Sequence, residues 1–282
     1  RSGVFVAPNA RPLMVDLALA RNDPFRGLLT RTDMAPDWRA RVLRSRSKDR
    51  RLTKPARWQD YPYPFVYGAS DDKNFPIEGF RESCALTISR AQLPEWTHDL
   101  ESADVAHLIT QIRQRLLPAR GVFALSEEIL ITGGSQQAYT LLAEVLFDNT
   151  ARVGLEEPGH PHARNSMAAR APRFTGIEVD EEGLVVDGLP DLDYVFVTPS
   201  HQSPTTNVMS LERRQWLLRK AELQDFVIIE DDYEAENLYE GMPMPALKSL
   251  DQTGRVVYIG SISKSLSPAL RLGFIVASTE LV

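Results

Sequence analysis

Lys264 is the residue of this sequence best placed for covalent chemistry. It lies in the segment 260–273, directly after an apolar run and among small hydroxyl side chains. No such setting surrounds the other five lysines, at positions 48, 54, 73, 220 and 248. A lysine desolvated near other cations has a lowered pKa and can form an imine with a carbonyl compound. A phosphate could be bound beside it by Ser261, Ser263 and Arg271.

Two adjacent glycines suggest a second site, for an anion. The segment 131–138 reads Ile-Thr-Gly-Gly-Ser-Gln-Gln-Ala, an apolar strand followed by glycines and the start of a helix. Backbone N–H groups next to glycine can approach an anion, and Ser135 can cap the helix or donate a hydrogen bond. The segment has neither the GxGxxG nor the GxxxxGK[ST] pattern, so a plain tight turn is an equally consistent interpretation.

Histidines and hydroxyl groups follow two further apolar runs. His160 could stack on a planar ligand, or it could be a loop histidine without a role. The pair His160 and His162 hints at a metal, but the remaining histidines and the single cysteine have no ligand spacing, so no metal site is predicted. The turn 198–205 contributes His201 and Ser203, and ordinary turn chemistry explains only part of its composition.

A run of acidic residues ends the apolar segment 226–229. In extended geometry Asp231 and Tyr233 point to one side and Asp232 to the other. A carboxylate at the end of an apolar strand is costly unless it meets a cation or a donor. Capping at the surface and pairing with a protonated ring nitrogen both satisfy that requirement.

Together these segments supply the groups that pyridoxal 5'-phosphate (PLP) needs. They are an imine-forming lysine, a glycine turn that can bind the phosphate, a side-chain ring that can stack on the cofactor, a carboxylate for the ring nitrogen and a phenol for the ring hydroxyl. We therefore take PLP as the predicted cofactor.

The elements that must position these residues alternate along the chain. Apolar runs predict strands at 129–131, 153–155, 194–197, 227–229, 256–259 and 274–276. Helical periodicity predicts helices at 80–90, 105–117, 135–147, 161–170 and 211–223, with Pro118 ending the second. Continuous apolar runs are typical of parallel strands buried on both faces, so we expect an α/β fold with a mostly parallel sheet covered by helices on both sides.

Composition excludes several classes of protein. The 282 residues are 43% hydrophobic and 25% charged, which excludes disordered, collagen-like and disulfide-rich chains. A net charge of −6 argues against a chain that coats nucleic acid. Cys84 is the single cysteine and no apolar run is long enough to span a membrane, so we expect a cytoplasmic protein.

The first 60 residues differ from the rest. They are weakly periodic and rich in arginine, aspartate and proline, and we interpret them as a linker or arm, with a second domain at 61–282. Nine of the 32 basic residues lie between Arg39 and Arg57, where Asp49 is the only acid. This basic stretch is either a solvated face or a surface that meets nucleic acid beside a DNA-binding module.

Three segments carry a resemblance to a known family. Thr-Pro-Ser-His-Gln-Ser-Pro-Thr (198–205), Ile-Ile-Glu-Asp-Asp-Tyr-Glu-Ala-Glu (228–236) and Ser-Ile-Ser-Lys-Ser-Leu-Ser-Pro-Ala-Leu-Arg-Leu-Gly (261–273) resemble MocR/GabR-type bacterial regulators of the GntR family. In that family a winged-helix DNA-binding domain is linked to an aminotransferase-like domain of fold type I. The start of the chain, residues 1–6, resembles the last strand of the wing.

The resemblance implies roles for individual residues. Lys264 would bind PLP as a Schiff base, Asp231 would pair with the pyridine nitrogen and Tyr233 would lie near the ring hydroxyl. The phosphate would be bound by Gly134, Ser135, Gln136, Ser261 and Arg271.

The sequence departs from the family's pattern in two places. His160 stands where the family often has tyrosine, so stacking would be by imidazole. Thr206 and Asn207 replace the usual glycine after Pro-Thr. The chain also ends before the C-terminal subdomain in which related aminotransferases carry a carboxylate-binding arginine, so that subdomain is expected to be missing.

The resemblance further implies an effector-sensing and dimerisation domain of a transcriptional regulator. An amino compound would bind PLP as an external aldimine and so control DNA binding through a winged-helix domain outside this chain. Resemblance over 95–120 suggests an ectoine-derived or taurine-like effector, and a homodimer is expected by analogy. The alternatives are a class I/II PLP-dependent aminotransferase and a scaffold that has lost its cofactor.

Overall fold

The computed structural model divides the chain into two compact units, Arg1–Asp49 and Arg50–Val282. It describes residues 37, 41, 49, 53, 55–63, 74–98, 104–170, 173–234 and 244–282. The wing-like start 1–6 and most of the predicted arm 1–60, including most of its basic stretch, lie outside the described residues. The domain boundary at residue 60 stays a prediction.

Within the described residues, eight strands form one sheet. They are β1 (Ile129–Thr132), β2 (Arg152–Glu157), β3 (Arg173–Asp180), β4 (Gly183–Leu184), β5 (Tyr194–Val197), β6 (Val227–Asp232), β7 (Val256–Ser261) and β8 (Gly273–Val276). The order across the sheet is β1-β8-β7-β6-β5-β2-β3-β4. The central strands from β7 to β3 are parallel, whereas β8 is antiparallel to both of its neighbours and β4 is antiparallel to β3.

Helices connect the strands and cover both faces of the sheet. The α-helices are α1 (Ile77–Thr87), α2 (Leu93–Thr97), α3 (Ala106–Gln111), α4 (Leu117–Ala119), α5 (Ser135–Leu146), α6 (Pro161–Met167), α7 (Leu211–Gln224) and α8 (Leu247–Leu250). Shorter helical turns are 3₁₀ at Trp58–Asp60, Ser126–Glu128 and Pro268–Leu270, and π at Ile112–Leu116. Within the described ranges, no helix combines the length and the apolar character needed to cross a membrane.

The core lies on both sides of the sheet because neighbouring strand residues point to opposite faces. On one side Ile229 packs in a buried cluster with Leu142 of α5. On the other side Ile228 packs in a second cluster with Leu217 of α7. Full burial of such a side chain stabilises the fold by about 1.5–3 kcal/mol, so the continuous apolar strands hold the sheet between two helical layers.

The structure confirms the six predicted strands and the α/β fold, with three differences. Strands β3 and β4 were not predicted, because β3 is a polar segment in which only Ile177 is buried. The predicted helix 105–117 contains a π turn and ends at Ala119, one residue after Pro118. The helix predicted at 161–170 ends at Met167.

Candidate active site

The carboxyl ends of the parallel strands open onto a cleft of about 780 Å³. Such ends are the usual ligand site of an open α/β sheet. Ten of the predicted site residues line this cleft: Ser135, Gln136, His160, Ser203, Asp231, Tyr233, Ser261, Ser263, Lys264 and Arg271. Gly134 lies against the guanidinium of Arg271 and does not itself line the cleft. His201, which follows β5, does not line it either.

The glycine turn before α5 forms a cup with Arg271. Gly134 has a φ of +87°, a backbone conformation that favours glycine. A Cβ atom at Gly134 would lie 3.1 Å from Nη2 of Arg271. The same Nη2 donates to the carbonyl of Gly133 at 3.2 Å, which keeps the guanidinium over the start of α5. A positive side chain at the N-terminus of a 12-residue helix favours a bound anion.

Lys264 lies on the wall of the cleft that follows β7. Its Nζ forms an ion pair with Oε1 of Glu234 at 3.0 Å, and both side chains are mostly buried. The backbone N–H of Ser263 donates to the hydroxyl of Ser261 at 3.2 Å, and this bond shapes the turn before the lysine. The amine that sequence reasoning selected is therefore held in the cleft beside a proton acceptor.

Asp231 is the buried carboxyl of the cleft, with 2% of its surface exposed. Its Oδ2 accepts a hydrogen bond from the hydroxyl of Tyr139, while Oδ1 has no hydrogen-bond partner among the described residues. Burial, together with the negative charges of Asp232 and Glu156, raises the pKa of Asp231 to about 7. A buried acceptor of this kind suits a cationic N–H donor.

His160 is the N-cap residue of α6 and borders the cleft. Its Nδ1 accepts a hydrogen bond from the N–H of Ala163 at 3.4 Å. Burial and the nearby charges of His162 and Lys264 lower the pKa of His160 to about 4, so its imidazole is neutral at pH 7. A neutral ring on the cleft wall can stack on a planar ligand.

The turn after β5 is braced by a buried glutamate. Thr198 donates from its N–H and its hydroxyl to Glu156, and Gln202 donates from Nε2 to the same carboxyl. Burial raises the pKa of Glu156 to about 7. Thr206 has a φ of +65°, so the residue that replaces the expected glycine still adopts the left-handed conformation. This bracing holds Ser203 in the cleft.

Sequence reasoning missed Tyr139, Glu156 and Arg120. Tyr139 follows Ser135 by four residues, and this i, i+4 spacing on a helix was a usable signal. Arg120 pairs with Asp232 at 2.8 Å and donates to the hydroxyl of Ser200 at 2.9 Å, on the other side of β6. No local pattern links Arg120 to residues so distant in sequence.

The donor set of the cleft fits PLP. The glycine cup with Arg271 suits the phosphate, and the Oδ1 of Asp231, which no described residue contacts through a hydrogen bond, suits a protonated ring nitrogen. Lys264 supplies a primary amine in the same cleft. Among the described residues, no group of three or more His, Cys, Asp or Glu could hold a metal ion.

The chain is similar to several transcriptional regulators and aminotransferases, while no family model matches it. The transcriptional regulator TauR of Rhodobacter capsulatus is 39% identical over 287 residues, covering 100% of this chain and 56% of TauR. The probable rhizopine catabolism regulatory protein MocR of Rhizobium meliloti is 32% identical, covering 99% and 54%. The chain spans about half the length of these curated relatives.

Among solved structures, the α-aminoadipate aminotransferase LysN of Thermus thermophilus is similar in fold. It was crystallised with N-(5'-phosphopyridoxyl)-L-leucine. The two chains superpose with a TM-score of 0.68 and 31% identity, over 77% of this chain and 56% of LysN. This similarity confirms the expected fold of PLP-dependent transferases of type I.

Proposed function

We propose that this chain is a PLP-binding effector domain, because it belongs to the MocR-type transcriptional regulators with an aminotransferase-like domain. The observation that carries the proposal is the presence of three groups in one cleft. Lys264, the buried Asp231 and the cup of Gly134 with Arg271 are separate in sequence, and the fold brings them to one edge of the sheet. The similarity to TauR and MocR over nearly the whole chain supports a regulator.

Different residues of the cleft would bind different parts of PLP. The cup formed by Gly134, Ser135, Gln136, Ser261 and Arg271 would hold the phosphate. Asp231 would accept from the ring nitrogen, Tyr233 would lie near the ring hydroxyl and His160 would stack on the ring. PLP supplies an aldehyde carbon that binds primary amines covalently and a ring that withdraws electrons.

Glu234 would accept a proton from Lys264 and later return it. An ammonium is not a nucleophile, so the Nζ of Lys264 must lose a proton before it attacks a carbonyl carbon. The Oε1 of Glu234, 3.0 Å away, is placed to accept that proton and to return it when the lysine is displaced. An incoming amino compound would compete with Lys264 for the same carbon.

Regulation requires exchange of amines and no completed transamination. Occupation of the cleft by a small amino compound would favour one arrangement of the protein over another and so alter DNA binding by a winged-helix domain outside this chain. The finer proposals are an effector that is ectoine-derived or taurine-like, a homodimer, and a domain boundary near residue 60. They rest on sequence resemblance.

An aminotransferase is the second candidate, because LysN shares the fold and the same cleft residues could carry proton transfer. The two functions differ in product. The protein with PLP is mixed with taurine, ectoine-derived amines and standard amino acids, and the absorbance spectrum and the keto acids formed are both measured.

The proposal expects a spectral change with at least one amine and no catalytic keto product. With Lys264→Ala it expects no Schiff base between PLP and the protein, so that an added amine reacts with the free aldehyde and displaces no lysine. Catalytic turnover of an amino acid would establish the aminotransferase instead. A wild-type spectrum that no amine changes would contradict amine sensing.

A further inference from the structure

Tyr139 contacts two of the proposed cofactor-binding residues at once. It is buried in α5, with 2% of its surface exposed. Its hydroxyl donates to Oδ2 of Asp231, and its ring meets the His160 ring edge-on with the centroids 6.4 Å apart. Phe196 packs against the Tyr139 ring with the centroids 5.6 Å apart and limits the movement of that ring. These contacts therefore hold the Tyr139 side chain next to Asp231 and His160.

The hydrogen bond from Tyr139 distinguishes the two oxygens of Asp231. Oδ2 is occupied by the phenol, whereas Oδ1 is buried without a partner among the described residues. Rotation of the carboxyl would break the bond to Tyr139, and a hydrogen bond to a charged group is stronger than one between neutral groups. The phenol thus fixes the carboxyl with Oδ1 as the oxygen available to a ligand.

Helix α5 links this contact to the anion cup. Ser135 begins the helix at the cup, and Tyr139 lies one turn later on the same face. A ligand that reached from the cup to Asp231 would pass along this face. A single helix turn therefore sets the separation between the phosphate site and the ring-nitrogen acceptor.

We propose that Tyr139 is a positioning residue for the cofactor: its hydroxyl orients Asp231 so that Oδ1 meets the ring nitrogen, and its ring holds the His160 imidazole in place. The proposal rests on the proposed function, since it needs PLP in the cleft. Hydrogen bonding to a carboxylate also favours its ionised form, and burial of Asp231 opposes that form by raising its pKa. Tyr139 therefore supports the charge that a protonated ring nitrogen requires.

Tyr258 offers a matched control, because it contacts Asp232, the residue of β6 that follows Asp231. The hydroxyl of Tyr258 donates to Oδ2 of Asp232 at 2.9 Å, and Tyr258 is as buried as Tyr139. Asp232 is also paired with Arg120 and does not line the cleft. Tyr258→Phe removes the same kind of buried phenol-to-carboxyl bond without touching the proposed cofactor contacts.

The test compares wild type, Tyr139→Phe and Tyr258→Phe. The dissociation constant for PLP is measured by absorbance titration at pH 6.5 and at pH 8.5, and unfolding of the PLP-free proteins is measured in urea. We expect Tyr139→Phe to raise the dissociation constant about tenfold, which corresponds to one hydrogen bond of about 1.4 kcal/mol. The increase should be larger at pH 6.5, because without the phenol the pKa of Asp231 is higher and less carboxylate is present.

Tyr258→Phe should lose stability in urea and bind PLP within about twofold of wild type, a range set by the scatter of effects at independent sites. Two outcomes would overturn the role of Tyr139 and leave the proposed function intact: unchanged PLP affinity in Tyr139→Phe, or an equal loss in both variants at both pH values. Failure of the wild type to bind PLP would overturn the proposed function and this inference together.

Discussion

Replacing Asp231 with asparagine should change how the stability of the PLP-free protein depends on pH. The folded protein holds this carboxyl buried, with its pKa raised to about 7, whereas an unfolded chain has an aspartate pKa near 4. The folded state therefore binds the proton more tightly than the unfolded state. The contribution of Asp231 to wild-type stability is largest below pH 4 and is lost as the pH rises to about 7.

The size of the effect follows from the pKa difference. Each pKa unit is worth about 1.4 kcal/mol, so the ionisation of Asp231 costs about 4 kcal/mol of folding stability above pH 7 as an upper bound. Between pH 5 and pH 8 the loss is about 2–3 kcal/mol, because the unfolded carboxyl is already ionised at pH 5. The amide of the Asp231→Asn variant does not ionise, so this variant should gain that amount on wild type over the same interval.

Urea unfolding of both proteins at several pH values measures this difference. The control is Asp251→Asn, because the Asp251 carboxyl accepts from the N–H groups of Val256 and Thr253, and its pKa is lowered. Asp251 stabilises the fold at neutral pH and loses that contribution only in acid, so its variant should differ from wild type by a constant amount between pH 5 and pH 8. Parallel pH curves for wild type and Asp231→Asn would refute the account of Asp231 as a carboxyl that needs a cationic partner.

Three further variants test other parts of the structure. Gly134→Ala should weaken PLP binding at least tenfold in an absorbance titration, a loss of about 1.4 kcal/mol, whereas Gly254→Ala, which shares the positive φ but has open space around it, should leave binding unchanged. Arg120→Met should lower the free energy of unfolding by about 3–5 kcal/mol in urea, because it leaves Asp232 buried without its cation. His160→Phe should keep the pH dependence of PLP affinity between pH 6 and pH 8, because the pKa of the histidine is lowered to about 4 and its ring is already neutral there.

Sequence alone predicted the parts of this protein that depend on local pattern. Continuous apolar runs located the strands buried on both faces, and the carboxyl ends of those strands led to Lys264 and Asp231. Strand β3 was not predicted because its three apolar residues are separated by polar residues or glycine and half of its residues are exposed. Its pairing with β2, along six residue pairs, comes from the neighbouring strand and not from its own composition.

The parts of the site that sequence reasoning missed depend on contacts between distant residues. Tyr139 and Asp231 are 92 residues apart, and Arg120 and Asp232 are 112 apart. Each pair forms only when the helix and the sheet have packed. The motifs could therefore identify residues that line the cleft, whereas the side chains that form hydrogen bonds with Asp231 and Asp232 required the folded structure.

The measurement closest to the central claim is the covalent attachment of PLP to Lys264. The protein is mixed with PLP, its absorbance spectrum is recorded, and the mixture is reduced with borohydride and mapped by peptide mass spectrometry, alongside Lys264→Ala. The account predicts the visible band of a PLP Schiff base and a reduced pyridoxyl group on Lys264 in the wild type, with neither in the variant. A folded wild-type protein with no band and no label, or with a label on another lysine, would contradict it.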